Sequence, residues 1–419
     1  MAVRVNTNGK FYKWEVVLLL WVAFFLNQAD RQAFNIVLPQ IQEHFGLSNS
    51  IMGLLATLFN VVFAVTIPFA GLLADRMSRS RQIWVSTLIF SAATFFTGLS
   101  GGVFWLIVFR CLGLGFGQGL FAPTYTGIIA QYHNTTTRAR AISIHQTSSY
   151  AGIIVCGFLA GKIAETIGWQ YAFFIFGGIG LIFTPILLLR LKDKPEEQKA
   201  AASPSKLVSL PGAIAGIFRV PTAVCIVVAY CALVFGINGY LTWMPKYLKD
   251  TFGLSLSAAG FHSMLWSNAA AFISILIAGT FSDRIASRPG GRRNRLLLMA
   301  AGMLLASPCF VLMGVSGVFP TVCAALAGFG FFRGLFDSSL FAVLYDVIPS
   351  QYYSTSAAIL FLFGYGTGSL APWILGIVSD TVGLSAGIVS LAAVWVAGSV
   401  ALLVARALFF EKDAARIKA

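Results

Sequence analysis

Two opposite charges stand side by side inside an apolar segment. Asp30 and Arg31 lie in Leu26-Asn27-Gln28-Ala29-Asp30-Arg31-Gln32, within a stretch that runs from Trp14 to about Val37. On a helix begun at Trp14, Asp30 falls roughly 24 Å along the axis. That depth is still inside a bilayer core of ~30 Å. An ionised side chain there costs about 2.5–3.5 kcal/mol and needs a partner or a function. Asn27 and Arg31 are four residues apart and share a helix face, with Asp30 on the adjacent stripe. The planar guanidinium fork of Arg31 suits a carboxylate. An anion bound to Arg31 removes charge that favours the ionised form of Asp30, and a proton then follows. This is a physical route to proton–anion symport. The structural alternative is a self-neutralising pair that only holds helices together.

Other residues fit a polar path through apolar helices. Arg110 opens RCLGLGFGQGLFAPTY, where Gly113 and Gly117 continue its stripe and Gln118 offers an amide. Arg110 either meets the substrate or balances Asp30. His145, Gln146, Ser149 and Tyr150 can give a polyol its hydroxyl partners; Gln146 and Ser149 are read as ligands. His145 titrates near neutrality, which allows a proton role, while a local hydrogen bond at the cytoplasmic mouth is its structural alternative. FGINGYLTW supplies Asn238, Tyr240 and Trp243 as candidate ligands or outer-gate residues, although a Trp at the water boundary is more often an anchor. Arg333 and Asp337 are four apart, either an intrahelical bridge or a second charge site that carries protons. Tyr365, in the bendable FGYGTG run, completes the substrate-binding set.

These residues need long helices to place them. Of 419 residues, 58% are hydrophobic and only 11% charged, against about 25% charged in soluble proteins. Apolar stretches of helical length fall near 14–37, 51–73, 82–99, 103–131, 139–162, 168–190, 221–247, 257–281, 296–316, 319–347, 354–379 and 384–409. The expected fold is an all-α membrane protein with 12 transmembrane helices in two six-helix bundles. The expected domains are 1–190, a cytoplasmic linker 191–219, and 220–419. With both termini in the cytoplasm, 23 of the 29 lysines and arginines fall on inner segments, as the positive-inside rule requires. The outer loops hold only Lys162, Lys246 and Lys249. The net charge of +14 is therefore a topology signal and not a nucleic-acid footprint. The six cysteines lie in apolar segments without CxxC spacing, and the four histidines are scattered. Neither pattern indicates a metal, a cofactor or a catalytic cluster. The expected partners are a small anionic substrate, protons and the bilayer of the cell membrane, around a monomer.

The halves repeat. Phe45-Gly46-Leu47-Ser48 returns as Phe252-Gly253-Leu254-Ser255, and Gly71-Leu72-Leu73-Ala74-Asp75-Arg76 as Gly279-Thr280-Phe281-Ser282-Asp283-Arg284. Arg110 and Arg333 occupy the fourth and tenth spans. Two matching six-helix halves form a transporter architecture. GLLADRMSRSR at Gly71–Arg81 and GTFSDRIASR in the second half resemble the signature of the major facilitator superfamily. That resemblance implies a gate in which Gly71 lets helices pack closely while Asp75, Arg76, Arg79, Asp283 and Arg284 form a charge network. LNQADRQAFNIVLPQIQEHFGLS resembles the anion:cation symporters of sugar acids and also the Spinster-type carriers associated with lysolipids. In the first branch, Asp30 matches a proton-sensitive acid, Arg31 a carboxylate ligand, and Arg110 the arginine of the fourth helix. Both branches usually place a glutamate about seven residues after that arginine; here those positions are Gly117 and Gln118.

Overall fold

The computed structural model describes residues 11–76, 78–121, 124–133, 137–193, 217–287, 291–349 and 353–418. All regular structure among them is helical. In chain order the α-helices are α1 (Tyr12–Phe45), α2 (Asn49–Arg76), α3 (Arg79–Thr97), α4 (Val103–Leu106), α5 (Leu114–Phe121), α6 (Thr124–Tyr132), α7 (Arg138–Ile167) and α8 (Trp169–Arg190). They continue as α9 (Pro221–Phe252), α10 (Leu256–Ala286), α11 (Asn294–Val315), α12 (Phe319–Asp346), α13 (Tyr353–Gly368), α14 (Ala371–Val382), α15 (Leu384–Val404) and α16 (Phe410–Lys418). Three of the twelve expected spans are interrupted. A π-helical turn, Ile107–Gly113, joins α4 to α5. A second, Ala405–Phe409, joins α15 to α16, and α13 breaks before α14. Among the described residues, ten helical stretches are long and apolar enough to cross a membrane. The stretches of α1 and α3 are not among them. Each carries the polar side chains that the site needs or that stitch the bundle together.

The chain packs as two units. One holds Met1–Leu47, Leu55–Ser205 and Leu254–Phe261; the other holds Ser48–Leu54, Lys206–Gly253 and His262–Ala419. The repeated Phe-Gly-Leu-Ser has a physical explanation. Gly46 and Gly253 both take left-handed conformations, at φ 61° and 63°, and end α1 and α9. A side chain would be strained at either position. The serine that follows caps the next helix: Ser48 Oγ accepts from Ile51 N, and Ser255 Oγ accepts from Ala258 N. A carboxylate completes each cap. In the second unit, Asp380 accepts from the backbone N–H groups of Asn49 and Ser50 and from the Ser50 hydroxyl. In the first, Glu165 accepts from Ser257 N at 2.9 Å and Ser257 Oγ at 3.0 Å.

Within the first unit, small residues bring the fourth span close to its neighbours. A Cβ on Gly117 would lie 2.7 Å from the backbone nitrogen of Phe90 on α3. One on Gly115 would lie 3.0 Å from the carbonyl of Phe59 on α2. Glycine is therefore a packing requirement at both positions, as expected where helices associate in lipid. At the far end of this unit the chain leaving α8 is tied down. Asp193 accepts from Ser80 N at 3.1 Å and from the hydroxyls of Ser78 and Ser80, which caps α3. Arg190 pairs with Glu15 at 2.6 Å. Tyr12 donates its hydroxyl to the Arg190 carbonyl at 2.7 Å.

Candidate functional site

Asp30 and Arg31 are chain neighbours with different surroundings. Asp30 is fully buried, and neither carboxylate oxygen has a hydrogen bond. Thr94 on α3 lies beside it without hydrogen-bond geometry, and the positive charge acting on it is that of Arg110. Cys156 on α7 donates to the backbone carbonyl of Ala29, one residue earlier. Arg31 turns to α2, where Nη2 donates to Asn60 Oδ1 at 2.8 Å. Its guanidinium carbon stands 5.3 Å from the Phe59 ring centre and 5.1 Å from that of Phe63.

Arg110 joins this group from the π-helical turn. Such turns shift the register within a helix and recur at functional sites. Its guanidinium lies 4.1 Å from the Phe59 ring centre and 4.8 Å from that of Phe34, and Nη2 donates to the Arg31 carbonyl at 3.2 Å. Cation–π contact of this kind stabilises a desolvated arginine without neutralising it. The residue is 2% exposed, yet Nε and Nη1 have no hydrogen-bond partner. Buried donors on a cation are costly unless something accepts from them. Asn27 and Gln118 complete the cluster. Gln118 Nε2 donates to the Asn27 carbonyl at 2.7 Å, while Gln118 Oε1 and Asn27 Nδ2 are buried without partners.

Further expected site residues of the first unit lie on α7 and α3. Ser149 accepts from Gln28 Nε2 at 2.6 Å, and Gln146 is exposed on α7. His145 is fully buried in an aromatic stack, 4.9 Å from the Phe24 ring and 4.4 Å from that of Tyr125. Neither ring nitrogen has a hydrogen-bond partner. Arg79 sits at the start of α3, with Nη1 3.4 Å from the Gly127 carbonyl.

In the second unit Asn238 donates to the Gly368 carbonyl at 3.1 Å. Pro372, four residues after Gly368, has no N–H to bond that carbonyl, so Asn238 supplies the missing donor at the break between α13 and α14. Trp243 Nε1 donates to the Pro372 carbonyl at 2.9 Å. Tyr240 is buried against Ser267 Oγ at 2.6 Å and the Ser263 carbonyl. Tyr365 lies 6.1 Å from the Phe361 ring on the same helix. Arg333 and Asp337 form an intrahelical pair at 3.1 Å, both about one-fifth exposed. Arg284 is exposed at the end of α10. Gly71, Asp75, Arg76 and Asp283 have helical backbones, and their side chains lie outside the described residues.

The π-helical turn, Asn60 and the phenylalanines were not in the expected site. An asparagine in an apolar run is a weak signal alone. Its significance lies in a partner 29 residues away, which only the pairing of α1 with α2 shows.

Comparisons with known proteins agree with this architecture. The chain is 26% identical over 385 residues to the hexuronate transporter of Bacillus subtilis, covering 90% of each chain. It is 25% identical over 415 residues to the "Probable galactarate/D-glucarate transporter" of Escherichia coli, covering 91% of this chain and 90% of that one. Its fold matches a bacterial homolog to the human lysosomal transporter Spinster in an inward-facing, occupied conformation. That match has TM-score 0.74 and 21% identity, and covers 98% of both chains. Residues 20–372 match the family description Major Facilitator Superfamily. The chain therefore belongs to the Major Facilitator Superfamily and is a multi-pass membrane transporter, not an enzyme.

Proposed function

We propose that this protein moves a small organic anion of the sugar-acid class across the cell membrane with protons, by alternating access. The observation that carries this reading is Arg110. Its guanidinium is buried on two phenyl rings with two N–H-bearing nitrogens unfilled, and its third donates to the backbone carbonyl of the partly exposed Arg31. Asp30 acts on that charge from within the protein, and the donors left unfilled on Arg110 support a visiting anion as a further partner. In this reading Arg31 receives the carboxylate and Arg110 supports it. Asn27 and Gln118, in the same cluster, serve the hydroxyls. Asp30 carries the coupled proton: its carboxylate is fully buried beside Thr94 and within reach of the charge of Arg110. Asp337 and His145 are further proton carriers. The named substrates of the two relatives, hexuronate and galactarate or glucarate, support the class.

The test is uptake into proteoliposomes with an imposed pH gradient, using labelled D-glucuronate and D-glucarate. Accumulation of at least one, driven by the gradient and not displaced by lysophospholipid, is the expected result. Uptake of neither, or displacement by lysophospholipid alone, would reject the sugar-acid reading in favour of a lipid carrier.

A further inference from the structure

We infer that Thr94 is the positioning residue for the coupled proton, and that its hydroxyl serves the Asp30 carboxyl in both charge states. The inference rests on the proton–anion reading and names a residue of α3 that neither the charge pattern nor the repeats pointed to.

Thr94 departs from the neighbouring threonines of its own helix. Thr87 donates to the Ile83 carbonyl at 2.9 Å and Thr97 to the Ala93 carbonyl at 2.7 Å, each four residues back. Such a back-bond is how a threonine settles its hydroxyl inside a helix. Thr94 is 1% exposed and has no such bond to Phe90. Its side chain stands beside Asp30 instead. The backbone on either side of it is held by close approaches. A Cβ on Gly113, which ends the π-helical turn carrying Arg110, would lie 2.9 Å from Ala93 Cβ. One on Gly177 of α8 would lie 2.5 Å from the Phe95 nitrogen. Two glycines thus let the fourth span and α8 press on the residues flanking Thr94, which fixes this turn of α3.

The other groups around Asp30 have different tasks. Arg110, from the π-helical turn, is the cation acting on it. The next residue, Cys111, donates to the Leu55 carbonyl at 3.2 Å. Cys156, from α7, donates to the Ala29 carbonyl at 3.1 Å. Arg31 turns to Asn60 on α2. Tyr125 and His145 stack on Phe24, six residues before Asp30. Arg79, Arg81, Tyr171 and Arg190, the charged and titratable residues of α3 and α8, stand near the ends of those helices. A hydroxyl both donates and accepts. Thr94 can therefore donate to the ionised carboxylate and accept from the carboxylic acid. A bond to an ion is about twice as strong as a neutral one, so the hydroxyl favours the ionised form. It eases release of the proton without adding a charge to the site.

The experiment measures exchange of labelled D-glucuronate and D-glucarate in proteoliposomes at equal pH on both sides, from about pH 5 to about pH 9. It compares wild type, Thr94→Val and Thr94→Ser, with thermal unfolding of each purified protein to check the fold. Carboxylates of this kind stay ionised over the range, so a pH limb belongs to the protein. A symporter turns over its loaded form only with the proton aboard, and exchange by wild type should fall as pH rises. Thr94→Val keeps the shape and loses the hydroxyl, so its limb should move to higher pH by about one unit. Thr94→Ser restores the hydroxyl and should return the midpoint to that of wild type. If Thr94→Val does not fold, Thr94→Ala removes the same hydroxyl and decides. A midpoint unmoved or moved to lower pH without the hydroxyl, or moved as far by serine as by valine, would overturn the role of Thr94 and leave the proton–anion reading standing. Wild type that exchanges neither probe, or exchanges them without a pH limb, would overturn both.

Discussion

Gln118 donates its side-chain amide to the backbone carbonyl of Asn27 across 2.7 Å. The resemblance to anion carriers places an acid at this point of the fourth helix. The structure shows why the chain manages with an amide. Position 117 has no room, because a Cβ there would meet the backbone of Phe90 at 2.7 Å. Position 118 is already used to tie the fourth span to α1. Gly117→Glu should therefore fail to fold or unfold at clearly lower temperature, since overpacking costs about 1–3 kcal/mol or more. Gln118→Glu should fold but lose the donated bond and set oxygen against oxygen. Its transport should fall several-fold at neutral pH, measured as initial uptake rate.

Asp30→Asn tests coupling. The substitution keeps the shape of the side chain and fixes it neutral. Exchange of substrate at equal concentrations on both sides should persist within a few-fold, while accumulation against a gradient should vanish. Unchanged accumulation in the variant would remove Asp30 from the proton path.

Arg31→Lys separates a fork from a point charge. The ammonium cannot satisfy Asn60 and a substrate carboxylate in one plane as a guanidinium does. KM should rise by about tenfold or more, roughly 1.4 kcal/mol. A titration of uptake rate against substrate would show it, and an unchanged KM would mean that the fork is not the ligand.

Asp193→Ala removes the carboxylate that caps α3 through Ser78 and Ser80. Loss of such a cap costs about 1 kcal/mol. The melting temperature of the purified protein should fall by a few degrees with substrate KM unchanged. A changed KM would connect this distant cap to the site.

Much of this was legible from residue types alone. Asp30, Arg31 and Arg110 announce themselves because charge is so expensive in an apolar helix. The repeated Phe-Gly-Leu-Ser announces two left-handed helix ends, since a positive φ selects glycine. What lay out of sight depends on distance in the chain. Asn60 and Phe59 are ordinary until α2 is set against α1 and the fourth span. The separation of Asp30 from Arg31 was also hidden. Adjacent residues on a helix diverge by about 100°, and only the packing shows that one faces α3 and α7 while the other faces α2. Trp243, expected at the water boundary, instead donates to the kink after α13, a role set by the carbonyl of Pro372.

The π-helical turn that carries Arg110 has an evolutionary corollary. A wide turn amounts to one surplus residue in a helix, and its deletion would restore regular winding. It would also swing Arg110 by about 100° relative to the glycines beyond it. Those glycines fix the far end against Phe90 and Phe59, so the cation itself would rotate away from its phenyl cradle. Residue number between 107 and 113 is thus constrained as tightly as residue type. Single-codon deletions there should be poorly tolerated even where every individual substitution is mild.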